Sequence, residues 1–156
     1  MNNFWLLFLH LIGASVWVGG HLYLALRIVP IAIREQNSQI LLDFEASFEK
    51  LGMSALMIQV LTGIKMANSL LPNWALLLQH GVENPLRQVS ILLTMKLCWL
   101  FLTVLTAISA QVIAVPRVKR EPNSAKARHF FVGHILTVTV LSVAFLVTGV
   151  LFRTGW

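Results

Sequence analysis

Apolar residues dominate this chain in four long blocks, separated by short polar connections. The first block is uncharged from Phe4 to Arg27, longer than the roughly 20 residues a bilayer crossing needs, and Pro30 follows it. The second runs from Leu51 to Leu71, contains Lys65 and stops at Pro72-Asn73. The third runs from Gln88 to Val115, contains Lys96 and stops at Pro116. The fourth runs from Phe130 to Phe152. The blocks predict an all-α, integral membrane bundle of four transmembrane helices, with spans at approximately 4–29, 51–71, 88–115 and 130–152 forming one domain.

Composition agrees with that pattern. Hydrophobic residues make up 57% of the chain and charged residues 12%, with a mean hydropathy of +0.77. Soluble domains carry about 25% charged residues. No basic residue precedes the first block and no small-residue cleavage motif follows it, so it is expected to be retained as a helix. The single cysteine, Cys98, excludes an internal disulfide. No internal repeat is expected.

The net charge is +6 and the pI 10.3. Because the charges sit in connections between apolar blocks, they read as a topology signal rather than a nucleic-acid surface. Arg27, Arg34, Lys50, Arg117, Lys119, Arg120, Lys126 and Arg128 fall on one side, and Arg87 and Arg153 on the other. The positive-inside rule then places both termini outside the cytoplasm. Trp5, Trp74 and Trp156 fit an aromatic belt.

Ionisable residues inside a span are costly and mark function by default. At about 1.5 Å rise per residue, His10, Lys65 and Lys96 lie at matching depths, roughly 10 Å inside the outer edge. Snorkelling to the interface is the alternative for both lysines. His21 and His134 lie about 9 Å inside the opposite edge, with Met53 and Met57 near that depth. Two imidazoles and two thioethers suit Cu(I). Facing histidines equally suit haem iron. Core filling and interhelical hydrogen bonding are the bland readings of the same residues. His10, Trp17 and His21 share one helix face, which should point into the bundle, and Gly13, Gly19 and Gly20 allow close helix approach there. His129 reads as an interfacial histidine, and His80 receives no role. Asp and Glu are absent from all four spans, which argues against a carboxylate proton relay.

The segment His10-Leu-Ile-Gly-Ala-Ser-Val-Trp17-Val-Gly19-Gly20 resembles the first-helix signature of copper-resistance protein D (CopD) membrane domains, and Thr62-Gly63 and Met95-Lys96-Leu97 fit the same pattern. That resemblance implies copper handling at a bacterial inner membrane. On the depth reading above, Cu(I) would meet His21, His134, Met53 and Met57, with His10 further out, and a periplasmic copper protein or redox partner is the expected partner. The chain is also similar to HemJ-type protoporphyrinogen oxidases, built on a histidine in helix one and a lysine in helix three, with haem b. His10 and Lys96 stand at those positions. After Arg27 this chain has Ile-Val-Pro where that family has polar and aromatic residues, and span four has Gly133-His134 rather than an Asn-Glu-Pro-like element. The second resemblance therefore implies haem binding more than oxidase activity; in the haem reading His10, His21 or His134 would supply axial ligands, the lysines would pair with the propionates, and Trp17 and Lys96 are counted among the cofactor-binding residues. Copper is the first expectation, haem b the alternative, and a non-catalytic assembly subunit the third.

Overall fold

A computed structural model of the chain describes residues 3–154, so Trp156 of the expected aromatic belt lies outside the described residues. Four long helical rods form the molecule. The first joins α1 (Asn3–Tyr23), a π-helical turn (Leu24–Ile28) and α2 (Val29–Arg34). The second is α3 (Gln39–Leu70). The third joins α4 (Arg87–Ser109), a second π-helical turn (Ala110–Ala114) and α5 (Val115–Arg120). The fourth is α6 (Ala125–Thr154). The first, third and fourth rods are long and apolar enough to cross a membrane. The second begins twelve residues before the expected span, and its first turns carry Asp43, Glu45, Glu49 and Lys50.

Neither Pro30 nor Pro116 ends its helix. A proline inside a helix removes one N–H and drives its ring against the carbonyl four residues earlier. A π-helical turn stands immediately before each Val-Pro pair, and that widened turn absorbs the mismatch. The first rod ends at Gln36, whose φ of 50° is the left-handed conformation of a helix C-terminus. Asn37 N–H bonds back to the Ala32 carbonyl at 3.1 Å.

The π-helical turns are part of a larger regularity. Adding 86 to a residue number carries the first π-helical turn onto the second, α2 onto α5, and the start of α3 onto the start of α6. The string VPIAIREQNS at 29–38 returns as VPRVKREPNS at 115–124, and Thr62-Gly63 returns as Thr148-Gly149. Burial repeats too: Val29 and Val115, Leu41 and Ala127, and Thr62 and Thr148 are all buried. The chain is therefore two copies of one two-helix unit, correcting the expectation of no repeat. Apolar residues exchange freely in lipid-facing helices, so the copies stay alike only where the turn, the proline or a buried polar contact demands it.

Packing runs in the order α3–α1–α6–α4, with α1 against α3, α4 against α6, and α1 against α6 at the centre. One end is a dense aliphatic core of Leu24, Val29, Ala32, Leu41, Val115, Val118, Ala127 and Phe131. Arg34, Lys119, Arg120 and Lys126 lie exposed at this basic end. Arg128, expected among the connection charges, is instead buried there and donates from Nη1 to the Gln36 carbonyl at 2.9 Å. Toward the other end the interior is lined by small polar residues: Ser90, Thr103, Ser142 and Thr148. Thr103, Ser142 and Thr148 are kept cheap in an apolar medium by bonding back to their own helices, to the Trp99, Thr139 and Ala144 carbonyls, and Ser90 accepts from Asn84 Nδ2.

Candidate functional site

The α1 face carrying His10, Trp17 and His21 points inward against α3, as its spacing predicts. Trp17 is buried, and His10 and His21 are half-buried. The stripe of α3 that meets it is Phe48, Gly52, Ala55, Gln59 and Thr62, at the three- and four-residue spacing of one helix face.

His10 sits with Nδ1 2.8 Å from Thr62 Oγ1. Thr62 has one hydroxyl proton and gives it to the Ile58 carbonyl at 2.5 Å. It therefore accepts from His10, which fixes the proton on Nδ1 and leaves the Nε2 lone pair available. This is the arrangement by which a hydrogen bond on one imidazole nitrogen orients the other toward a metal. Gly63 lies against the ring, and a Cβ there would be 3.5 Å from His10 Cε1, an ordinary contact. His21 is held similarly: Nδ1 donates to the Trp17 carbonyl at 2.8 Å, with the ring 4.4 Å from Trp17 and 5.7 Å from Phe48, centre to centre. Its Nε2 has no hydrogen-bond partner among the described residues. Eleven residues separate the two histidines, about 16 Å along the helix, so they are two stations and not two ligands of one ion.

Lys96 occupies in the second half the position His10 holds in the first. Its Nζ lies 5.4 Å from the ring centres of both Phe145 and Phe152. Gly149 lies against the ammonium, and a Cβ there would be 3.5 Å from Nζ, an ordinary contact. No carboxylate among the described residues pairs with it. Beside His10, the buried Gln59 Nε2 has no acceptor, and the Gln59 chain closes on Gly13. The half of the bundle away from the basic end thus offers one imidazole lone pair and two donors that lack acceptors among the described residues. Lys65, expected in this layer, is exposed, which fits the snorkelling alternative.

The expected inner layer is not assembled. Met53 and Met57 are 53% and 56% exposed, because they fall roughly 100–140° off the α3 stripe that faces α1. His134 faces α4 rather than His21. Its Nδ1 donates to the Phe130 carbonyl at 3.0 Å, and its Nε2 takes the Ser109 hydroxyl at 3.0 Å. His134 therefore spends both nitrogens on protein contacts. No group of three His, Cys, Asp or Glu side chains converges among the described residues.

No family model, curated protein or solved structure matches this chain.

Sequence reasoning missed three features. His80 ties the outer connection to α4, with Nε2 3.0 Å from the Leu77 carbonyl and 3.3 Å from Thr94 Oγ1. Gln59 was hidden among apolar neighbours, although a lone amide in a span is itself a signal. The equivalence of His10 and Lys96 was readable from their distance to the next Val-Pro pair, twenty residues to the proline in each case.

Proposed function

We propose that the chain is a membrane-embedded haem-binding protein, in which His10 Nε2 would hold the iron and Lys96 and Gln59 would donate to the cofactor's carboxylates. The observation that carries this reading is the half-buried Lys96 ammonium, which stands in the second copy where His10 stands in the first and has no acidic partner among the described residues. An uncompensated cation at that depth is costly, and an anionic cofactor relieves it. When bound, the haem supplies one-electron redox chemistry. The protein's part is to hold the His10 tautomer through Thr62, to orient the acidic edge with Lys96, and to exclude water with Phe145 and Phe152. The resemblance of His10 and Lys96 to the HemJ-type pattern supports the same assignment.

Copper handling is the second reading. The His21 lone pair and the CopD-like segment from His10 to Gly20 favour it. The outward Met53 and Met57 and the Lys96 charge weigh against it. In either case the basic end fits the cytoplasmic side of a bacterial inner membrane, with both termini on the opposite side, where a redox partner or copper protein would meet the polar half.

The absorption spectrum of protein purified from haem-sufficient cells tests the choice. A Soret band that is lost in His10→Ala and weakened in Lys96→Gln, but kept in His129→Ala, is the expected result. Stoichiometric copper without a Soret band would overturn it in favour of the second reading.

A further inference from the structure

The two copies of the repeated unit treat one location differently. In the first copy the Phe48 ring fills the groove between α1 and α3, so that a Cβ on Gly20 or Gly52 would strike it. In the second copy Phe48 becomes His134, Gly20 becomes Thr106 and Asp43 becomes His129. The His134 ring turns to Ser109, and a recess of about 560 Å³ is left between α4 and α6, lined by His129, Phe130, His134, Thr106 and Thr137. Thr137 also borders a second recess of about 300 Å³, apolar, walled by Leu136, Val140 and Leu141. The two meet at Thr137 on α6. From His129 to Val140 is eleven residues, about 16 Å, close to half of the roughly 30 Å hydrocarbon core. The end nearest the connection is basic: His129 lines it, and the Arg117 guanidinium lies 5.5 Å over the Phe130 ring of its wall. Glu121 is the acid of that connection and is exposed.

We infer that this groove seats one anionic phospholipid of the leaflet at the basic end. Its phosphate lies by Arg117 and His129, and an acyl chain runs past Thr137 to Val140. The length, the open side and the change from polar to apolar along one helix face match an amphiphile. In the first copy the Phe48 ring occupies the equivalent space.

Native mass spectrometry of the full chain in neutral detergent, titrated with phosphatidylglycerol or phosphatidylcholine of equal chain length, tests it. Phosphatidylglycerol is expected to bind roughly five- to tenfold more tightly, the size of one basic residue's attraction to an anionic surface, and Arg117→Gln to erase that preference. His134→Phe, which rebuilds the filled version, is expected to lower occupancy by both lipids. Should that variant fail to fold, Thr137→Trp serves the same purpose from an exposed position. Equal binding of the two lipids overturns the proposal, as does a preference that survives Arg117→Gln. Displacement of the lipid by inorganic phosphate alone overturns it in favour of a free-anion site. Self-association that excludes lipid overturns it in favour of a second copy.

Discussion

His10 and Lys96 hold the same station in the two copies of the repeated unit, each twenty residues before its proline and each facing a Thr-Gly pair on the partner helix. The copies then diverge. Thr62 accepts from His10, whereas Thr148 accepts from Trp99 Nε1 at 3.2 Å. One station therefore presents a lone pair, and the other a positive charge.

That divergence separates two otherwise similar substitutions. Thr62→Val removes the acceptor that holds the His10 tautomer, and haem affinity is expected to fall about 10–100-fold while the bundle stays folded. Thr148→Val loses the Trp99 bond, expected to cost about 1 kcal/mol of stability, with haem affinity unchanged. Haem titration followed at the Soret band, alongside thermal unfolding in detergent, distinguishes the two.

Gly13 and Gly19 share a helix and should respond in opposite ways. A Cβ on Gly13 would lie 2.9 Å from the Ala55 carbonyl oxygen and 3.0 Å from Gln59 Cγ. Backbone cannot yield as a side chain does, so Gly13→Ala is expected to destabilise by about 1–3 kcal/mol. Gly19 has open space around it, and Gly19→Ala is expected to stabilise the helix by roughly 0.5–1 kcal/mol. Unfolding in a denaturing-detergent titration reads both.

Gly149 tests the room kept for Lys96. At 3.5 Å from Nζ, the Cβ of Gly149→Ala makes ordinary contact, and haem retention should be unchanged. Gly149→Leu should push the ammonium from between Phe145 and Phe152 and lower haem retention to the level of Lys96→Gln. Equal retention in the wild type and the leucine variant would show that Lys96 does not act from this position.

Arg128 clips the end of the first rod to the head of the fourth through the Gln36 carbonyl. Arg128→Ala should cost about 1.5–3 kcal/mol, the range of a hydrogen bond from a charged donor. Arg128→Met keeps most of the buried volume and should lose less, since the unpartnered Nε is removed with the charge. Thermal unfolding of the two variants side by side gives the comparison.

The class of the fold was legible because the apolar blocks are long and because lipid leaves the backbone little choice but helix. Helix ends were less legible. Pro30 and Pro116 look like stops, and only the π-helical turns before them show how the rods continue. The inward face of α1 followed from the spacing of His10, Trp17 and His21. Depth alone misled on the other helices: Met53, Met57 and His134 sit at the depth of His21 but on other faces. Depth is one coordinate of a position on a helix and azimuth is the second. In a span apolar on every side, periodicity leaves the azimuth open. The repeat was present in the letters, in Val-Pro and in Arg-Glu-x-Asn-Ser. It went unread because the intervening residues had drifted.

A two-helix unit returns the chain to the side on which it started, so the copies stand parallel, without the in-plane axis of inverted-topology transporters that expose one site to either side in turn. The molecule is directional. His10 and Lys96 lie in the half of the bundle away from the aliphatic core, and a guest docked in that half would meet both. From the other side it would first have to breach the aliphatic plug around Val29 and Val115. Such an architecture is better suited to holding a guest at one face than to ferrying it across.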